Sequence, residues 1–363
     1  MRIMQFMPEF GLAGAERMAE TLILELQKLG HEVMVISLYD FHSSITENLE
    51  QHGIRIKYMN KKVGLDYSVV SAIRNEIRSF MPDVIHTHRH LLHYVVLSRM
   101  FSSCNAPIVH TVHNEARKEL TDVHRWVSNI IFLGTSAYPV ALTDLIKDTI
   151  YEAYRGLKDV PVIMNGVNAD MVKPVKENYE LTNGEFKILH VGRFAEAKNQ
   201  AAIVESFEKF HNKYPNSSLT FFGIGEFFDS VKALVDSKNM SDCVIFKGVD
   251  SKVTTRFHEY DVFILPSLYE GMPITIIEAM FAGMPIIATN VGGVSNVLTD
   301  QEDSILIPVD NDALVSALER LKDDAALRER LGRNALKNSH KFSGEQMAKS
   351  YEEYYLKLIE KNK

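Results

Sequence analysis

Short apolar runs alternate along the chain with stretches whose apolar residues recur at helical spacing. Arg2–Phe6 has the composition of a strand, and Ala15–Leu29 repeats apolar residues every three or four positions before Gly30. This alternation is typical of βαβ units, whose parallel strands form a sheet covered by helices on both faces. The pattern therefore predicts the α/β class.

The alternation is interrupted once, by the charged segment Asn168–Gly184, which contains Pro174 and ends in an Asn-Gly turn pair. The interruption predicts four parts: an N-terminal Rossmann-like domain over 1–168, a linker over 169–184, a C-terminal Rossmann-like domain over 185–342, and a terminal helical segment over 343–363. Two such domains leave a cleft at the carboxyl ends of their strands, where open α/β sheets bind ligands.

The apolar runs predict strands in both domains. In the first domain, further strands are predicted at Glu32–Ser37, Ile54–Tyr58, Val84–His86, Ile108–Thr111, Ile130–Leu133 and Val162–Met164. In the second, strands are predicted at Lys187–Val191, Leu219–Phe222, Val244–Phe246, Val262–Leu265 and Ile286–Ala288, with a helix at Gln200–Lys213. The apolar stretch Gly271–Val294 contains two prolines, so we predict a buried helix and a buried strand there, not a membrane span.

Composition narrows the classes of function. The formal net charge of −7 argues against a protein that mainly binds nucleic acid, because such domains carry a basic excess. Cys104 and Cys243 have neither disulfide nor metal-ligand spacing, and Met1–Phe10 lacks the apolar core of a signal peptide. These features predict a cytoplasmic protein.

The loop Gly11–Glu16, between the first strand and the first helix, is one candidate ligand site. Gly14 would let the backbone approach a ligand, and the N–H groups of the following helix suit a phosphate. The spacing differs from the G-x-G-x-x-G fingerprint, which disfavours a NAD-linked oxidoreductase. A plain tight turn is the alternative.

A second candidate loop, Gly192–Lys198, follows the first strand of the second domain. Arg193 can bind a diphosphate through its guanidinium fork, and Lys198 can bind it as a point charge. Fixed cations there would stabilise the charge that a leaving nucleoside diphosphate gains. Two solvated loop residues are the alternative.

Two glutamates mark the third candidate. Glu270 lies in a loop, and Glu278 lies about two turns into the following helix, among apolar residues. The charge of Glu278 needs a partner there, such as both hydroxyls of a ribose, whereas Glu270 could reach another part of the ligand or be a solvated acid. The helix N-terminus suits phosphate. The predicted donor-binding segment comprises Gly271, Met272, Pro273, Ile274 and Thr275.

Histidines are concentrated in the first half of the chain. On a strand, His86, His88 and His90 would share one face without the tetrahedral closure of a zinc site, so no metal site is predicted. His113, in the segment His110–Asn114 after another strand, is predicted to face the cleft.

Taken together, these motifs resemble family 4 of the retaining glycosyltransferases, which have GT-B architecture. The resemblance rests on Glu270-x7-Glu278, on Gly192-Arg193 with Lys198, on Gly14-Ala15-Glu16 and on the segment His110–Asn114, and it extends over essentially the whole chain. It implies two Rossmann-like domains facing across a cleft, with the last helix crossing back to the first domain.

The resemblance also implies roles for single residues. Arg193 and Lys198 would bind the donor diphosphate, Glu278 the ribose and Glu270 the donor sugar, with His113 beside that sugar. The implied catalytic group is therefore Glu270, His113, Arg193 and Lys198. Lys247, Gly248 and Val249 resemble the family's nucleobase contact. The chain departs from the family pattern outside these motifs, with Asn296 in place of an acid and Ser304 in place of a glycine.

The implied activity is that of a hexosyltransferase. It would move a hexose or N-acetylhexosamine from a nucleoside-diphosphate sugar, here UDP-linked, to an acceptor hydroxyl in cell-envelope, capsular or lipopolysaccharide glycan synthesis. None of the strands predicted above is followed by an Asp-x-Asp pair, so a metal-independent reaction without a cofactor is expected. Two alternatives stay open: a sugar-nucleotide epimerase on a similar scaffold, and a catalytically silent subunit of a transferase complex.

The expected partners are the nucleotide sugar and a glycan or lipid-linked acceptor. A basic stretch also invites contact with the inner face of a membrane, where anionic lipids attract cations. It comprises Arg55, Lys57, Lys61, Lys62, Arg74 and Arg78. A solvated face is the alternative interpretation.

Overall fold

The computed structural model describes residues 1–62, 64, 66–116, 122–134 and 136–362. Two compact units make up this part of the chain. The first comprises Met1–Gly166 with the segment from Gly344 onward, and the second comprises Val167–Ser343. The segment 169–184, predicted as a linker, thus lies within the second unit.

The two units carry the strands and α-helices in alternation. The strands are β1 Arg2–Met7, β2 Glu32–Ser37, β3 Arg55–Tyr58, β4 Val84–His88, β5 Ile108–Val112, β6 Ala137–Ala141, β7 Phe186–Val191, β8 Ser217–Phe222, β9 Val244–Phe246, β10 Val262–Leu265, β11 Ile286–Thr289 and β12 Ile305–Ile307. The described α-helices are α1 Gly14–Lys28, α2 Ser44–Gln51, α3 Ser68–Phe80, α4 Leu92–Met100, α5 Asp122–Gly134, α6 Asp144–Ala153, α7 Gln200–Lys213, α8 Phe228–Ser237, α9 Ile274–Phe281, α10 Asn311–Asp323, α11 Ala325–Ser339 and α12 Gly344–Lys361.

Each unit contains one six-stranded sheet, and the strand orders are β3-β2-β1-β4-β5-β6 and β12-β11-β10-β7-β8-β9. All the strand pairs are parallel. If the strands of each sheet are numbered from its own first strand, both sheets have the Rossmann order 3-2-1-4-5-6. In this order the first and fourth strands are neighbours, and successive strands are added outward from them in opposite directions. This confirms the predicted α/β class with two Rossmann-like sheets.

The last helix, α12, belongs to the first unit and packs against α1. Tyr351 and Tyr355 are fully buried on its inner face, and Glu352 accepts a hydrogen bond from His31 Nε2 at 2.8 Å. Aromatic residues at helical spacing therefore form the buried face of this helix. They cover one face of the first sheet.

Two predicted strands are wrong. Ile130–Leu133 lies within α5, where Ile131 and Phe132 are buried while Ile130 and Leu133 are exposed, as on an amphipathic helix. Val162–Met164 forms a single bridge to Ala141 and no strand. The strand at this edge is β6, whose central proline, Pro139, hides it from a pattern search but is tolerated at a sheet edge.

The apolar stretch Gly271–Val294 folds as predicted into a buried helix, α9, and a buried strand, β11. Within the described residues, we find no helix with both the length and the apolar character needed to cross a bilayer.

Candidate functional site

The loop that follows β7 is held in place by its backbone. Phe194 is fully buried among aromatic side chains, and its N–H donates to the carbonyl of Ile224 at 3.0 Å. A Cβ on Gly223, which has φ +132°, would lie 2.0 Å from the carbonyl oxygen of Gly192. Only glycine permits this approach. The exposed side chain of Arg193 is thereby presented at the carboxyl end of the sheet.

The buried side chains of His190 and Gln200 support this loop. His190 Nδ1 donates to the carbonyl of Ile264 at 3.0 Å, and Gln200 Nε2 donates to the carbonyl of Arg193 at 2.9 Å. Burial lowers the pKa of His190 to about 3, so the ring is neutral at pH 7. The sequence analysis missed this pair. A histidine inside an apolar strand was the available signal.

Lys198 and Glu270 form an ion pair between the loops that follow neighbouring strands, β7 and β10. Lys198 Nζ lies 2.5 Å from Glu270 Oε1, and Ser267 Oγ donates to the same oxygen at 2.6 Å. The side chains are 20% and 10% exposed. The sequence analysis predicted a ligand contact for each of these residues, and the structure shows a contact between them.

The position of Glu270 depends on a close backbone approach. Its carbonyl accepts a hydrogen bond from the N–H of Gly293 at 3.1 Å. Gly292 has φ +54°, and a Cβ there would lie 1.9 Å from the same carbonyl oxygen. The Gly-Gly pair after β11 therefore sets where the Glu270 loop can lie.

The N-terminus of α9 adjoins the Glu270 loop. The helix begins after Pro273 without a side-chain cap, and Thr275 Oγ1 is buried without a hydrogen-bond partner among the described residues. Glu278 lies half-buried in the middle of the helix and is engaged by neighbouring groups. Of the predicted donor-binding segment, Met272, Pro273 and Ile274 are buried, and Gly271 and Thr275 are half-buried.

The segment Lys247–Val249 follows β9 at the same end of the sheet. The carbonyl of Gly248 accepts a hydrogen bond from the N–H of Gly223 at 2.7 Å, which ties this loop to the one after β8. The side chains of Lys247 and Val249 are exposed. All the predicted second-domain site residues are thus gathered in loops at the carboxyl ends of one sheet, or in the helix α9 that follows one of those loops.

In the first unit, Gly14 is the first residue of α1, which has no side-chain cap. Glu16, in the first turn of this helix, is 2% exposed and accepts a hydrogen bond from Arg89 Nη1 at 2.6 Å. The candidate loop Gly11–Glu16 therefore contains a carboxylate, that of Glu16, which is paired with Arg89.

His113 is connected to the buried histidines of β4. Its Nε2 lies 3.0 Å from His88 Nδ1, and His88 Nε2 donates to Gln5 Oε1 at 3.1 Å. His86 and His88 share one face of β4, whereas His90 lies beyond the end of that strand and is exposed. Burial lowers the pKa of His113 to about 3 and holds the pKa values of His86 and His88 well below their usual range.

No group of three or more His, Cys, Asp or Glu is arranged to hold a metal ion among the described residues. An Asp-x-Asp pair follows β12, a strand that the sequence analysis missed. Asp310 caps α10 by accepting from the N–H of Ala313 at 2.7 Å, and Asp312 pairs with Lys209 at 2.7 Å. Both carboxylates have structural partners.

Three cations of the basic stretch are held by other groups of the first unit. Arg55 pairs with Glu76 at 3.4 Å, and Lys61 is 8% exposed because its ammonium donates to the carbonyls of Lys62 and Gly64. Arg78 donates to the carbonyl of Phe101 at 2.8 Å. Fewer free cations face solvent than the sequence suggested.

The two Rossmann-like sheets and the charged loops at the carboxyl ends of the second sheet define the GT-B class of glycosyltransferases. Two family models match adjoining parts of the chain: Glycosyltransferase Family 4 over residues 12–171 and Glycosyl transferases group 1 over residues 173–338. The chain belongs to family 4 of the GT-B glycosyltransferases and is a hexosyltransferase.

Relatives with assigned activities cover most of the chain. The UDP-Gal:alpha-D-GlcNAc-diphosphoundecaprenol alpha-1,3-galactosyltransferase of Escherichia coli is 29% identical over 263 residues, which is 68% of this chain and 67% of that protein. The alpha-monoglucosyldiacylglycerol synthase of Acholeplasma laidlawii is 25% identical over 369 residues, 93% of this chain and 92% of that protein. The crystal structure of Anabaena HepE in complex with UDP-glucose has a TM-score of 0.84 at 18% identity, covering 98% of this chain and 99% of that one, and shares the fold.

Proposed function

We propose that this protein transfers a hexose or N-acetylhexosamine from a UDP-linked donor to an acceptor hydroxyl, with retention of anomeric configuration. The observation that carries the proposal is the arrangement of Arg193, Lys198 and Glu270 in loops after neighbouring strands of one sheet. Two cations beside a helix N-terminus suit a diphosphate, and a carboxylate beside them suits the hydroxyls of a sugar.

Donor binding would exchange partners within this group. The diphosphate would draw Lys198 away from Glu270, which keeps the hydrogen bond from Ser267 and gains sugar hydroxyls. Thr275, whose hydroxyl is buried without a partner among the described residues, would donate to a phosphate oxygen. Glu278 would bind the ribose, and Lys247–Val249 the base.

Sugar transfer would proceed on one face of the sugar ring. The bond between the anomeric carbon and the diphosphate oxygen breaks, and its electron pair goes to the diphosphate. Arg193, Lys198 and the N-terminus of α9 stabilise that charge in place of a metal ion. The acceptor hydroxyl forms the new bond from the same face and passes its proton to the departing phosphate oxygen. Turnover in excess EDTA tests the metal-independent step, and a loss that magnesium restores would contradict it.

The acceptor would be a glycan or a lipid-linked precursor of a cell-envelope glycan. The names of the two relatives described above contain a diphosphoundecaprenol and a diacylglycerol, which are both lipids. A cytoplasmic enzyme that works at the inner face of the membrane accords with those acceptors.

A thermal-shift panel of UDP-, GDP- and ADP-linked sugars tests the donor. A ligand that binds only the folded state raises the melting temperature, so we expect stabilisation by one UDP-sugar and by UDP, and its loss in the double variant Arg193→Ala/Lys198→Ala. Mass analysis of the products separates transfer from epimerisation. A panel without any UDP-dependent shift would overturn the proposal.

A further inference from the structure

A line of polar side chains crosses the first sheet on the face that α12 covers. Gln5 of β1 lies in register with His86 of β4, and His88, two residues further along β4, lies in register with Thr111 of β5. Gln5, His86 and His88 are 0–1% exposed. A buried polar group needs a hydrogen-bond partner, so each ring nitrogen in this line is constrained by its neighbour.

The orientation of Gln5 determines the donors and acceptors along one branch of the line. His88 Nε2 lies 3.1 Å from Gln5 Oε1, and because an amide oxygen can only accept, His88 Nε2 carries a proton. His88 Nδ1 then has a lone pair, so its 3.0 Å partner, His113 Nε2, must donate. Among the described residues the ring of His113 makes no other hydrogen bond.

The other branch agrees with this assignment. Gln5 Nε2 donates to His86 Nδ1 at 3.3 Å, and the hydroxyl of Tyr355 lies 2.6 Å from the same nitrogen. His86 Nε2 is then protonated and donates to Thr111 Oγ1 at 2.7 Å. Burial lowers the pKa values of these histidines, so each ring is neutral and carries one proton.

We propose that Gln5 is a positioning residue that acts through His88 to hold His113 in the tautomer protonated at Nε2. In this tautomer Nδ1 of His113 carries a lone pair and accepts a hydrogen bond from a hydroxyl group. That the hydroxyl belongs to the donor sugar rests on the proposed function. The tautomer itself does not, because it follows from contacts within the first unit.

Inversion of the Gln5 amide would reverse every donor and acceptor in the line. His113 would then carry its proton on Nδ1 and could only donate from that atom. The orientation of the Gln5 amide therefore determines whether Nδ1 of His113 accepts or donates a hydrogen bond, although Gln5 does not touch His113 itself.

The test is two-bond ¹H–¹⁵N correlation spectroscopy of ¹⁵N-histidine-labelled protein, since protonated and unprotonated ring nitrogens resonate far apart. The His113 signals are those lost in His113→Gln. We expect the Nε2-protonated form for His88 and His113 in the parent. In Gln5→Met, an apolar replacement of similar volume, the His113 signals should shift to a mixture of tautomers. Gln5→Glu keeps an oxygen acceptor for His88 Nε2 and should restore the single form.

Thr87→Val is the matched control. Thr87 is equally buried on β4, but its hydroxyl bonds to His110 Nδ1 at 2.8 Å on the opposite face, so the tautomer of His113 should not change. An Nδ1-protonated His113 in the parent, or unchanged His113 signals in Gln5→Met, would overturn the proposal.

Activity provides the second measurement. With the UDP-sugar, Gln5→Met should lower kcat/KM by about tenfold, the loss of roughly one hydrogen bond, while UDP affinity stays that of the parent. An unchanged kcat/KM would refute the role in turnover. If the spectra show the expected tautomers but the parent binds no nucleotide sugar, the positioning role of Gln5 stands and the proposed function fails.

Discussion

At the scale of single residues, two of the charges proposed to bind the donor, Lys198 and Glu270, balance each other. A diphosphate bound as proposed would have to open the pair between Lys198 and Glu270, and the hydrogen bond from Ser267 would keep Glu270 oriented. An ion pair of this kind holds both side chains in place. It also sets a free-energy cost on binding, because the attraction between the two charges has to be replaced by contacts with the ligand.

The ion pair leads to different expectations for the two glutamates. Glu270→Gln removes the charge that competes for Lys198, so UDP should bind at least as tightly as to the parent, while turnover falls. Glu278→Gln should weaken both UDP and the UDP-sugar, because each contains the ribose. Calorimetric titration of both variants with both ligands tests this. Equal weakening of UDP by the two variants would contradict the separate roles.

Arg193 is exposed in the same loop as Lys198 and is expected to act on the leaving group. Arg193→Ala should lose about 2–4 kcal/mol of transition-state stabilisation, as measured by kcat/KM, which is typical of a group that stabilises developing charge. Arg333→Ala, which removes a similarly exposed arginine on α11, is the control. Activity within twofold of the parent would remove Arg193 from the site.

The sequence identified Lys198 and Glu270 because each follows a buried strand, and parallel strands end at one edge of a sheet. It could not show their contact, which depends on the distance between two loops separated by 72 positions in the chain. Nor did it identify Gln5, although a glutamine within an apolar strand is itself a signal of a buried hydrogen-bond partner.

At the scale of secondary-structure elements, strands with clear apolar runs were predictable within a residue or two, including the edge strands β3 and β9, whereas the edge strands β6 and β12 were missed. β6 and β12 lie at the outer edges of their sheets and are short or contain a proline. A central proline in β6 and a length of three residues in β12 weaken the apolar pattern by which a strand is recognised. In α5 the error was the reverse, because a helical segment was predicted as a strand. Its apolar run Ile130–Leu133 resembles a buried strand in sequence, but two of its side chains are exposed.

The loops between elements depend on glycine where two backbones touch. Gly292→Ala should destabilise the protein more than Gly248→Ala. Both residues have positive φ, but an added Cβ meets the Glu270 carbonyl only at position 292 and nothing within 4 Å at position 248. We expect about 1–2 kcal/mol for the backbone strain at Gly248 and a larger loss at Gly292. Urea unfolding of the two variants measures the difference, and equal losses would contradict the close approach.

At the scale of the whole molecule, the two units should respond differently to acid. Burial lowers the pKa values of His86, His88, His110 and His113 in the first unit and of His190 in the second. These rings stay neutral in the folded state, while the unfolded chain takes up protons below about pH 6.5. Stability is therefore complete above pH 6.5 and falls as the pH drops from 6.5 towards 4 and 3.

At pH 5.5 each such histidine should cost about 1.4 kcal/mol relative to pH 7.5, so the first unit should lose several times more stability than the second. Urea unfolding at the two pH values tests this by circular dichroism. The fluorescence anisotropy of Trp126, the single tryptophan of the chain, reports the first unit. Equal shifts of both units would contradict the assignment.

The proposed contact with a membrane surface would involve the basic stretch of the first unit. Because Arg55, Lys61 and Arg78 have partners within the unit, Lys57 and Lys62 are the cations that we expect to meet anionic lipid. Their reversal to glutamate should weaken co-sedimentation with phosphatidylserine vesicles at low salt, by about 1 kcal/mol per residue. The parent should release at high salt. No binding of the parent at low salt would end this interpretation.

The division of the chain between its units has a consequence for synthesis on the ribosome. The second unit is one continuous stretch, so it can fold as soon as Ser343 has left the exit tunnel. The first unit cannot be completed until α12 arrives, although most of its residues are made earlier, because Tyr351 and Tyr355 supply the hydrogen bonds that Thr111 and His86 need in the interior. The second unit can therefore complete its folding before the first. Translation that stalls ahead of Gly344 should leave the first sheet accessible to chaperones and proteases.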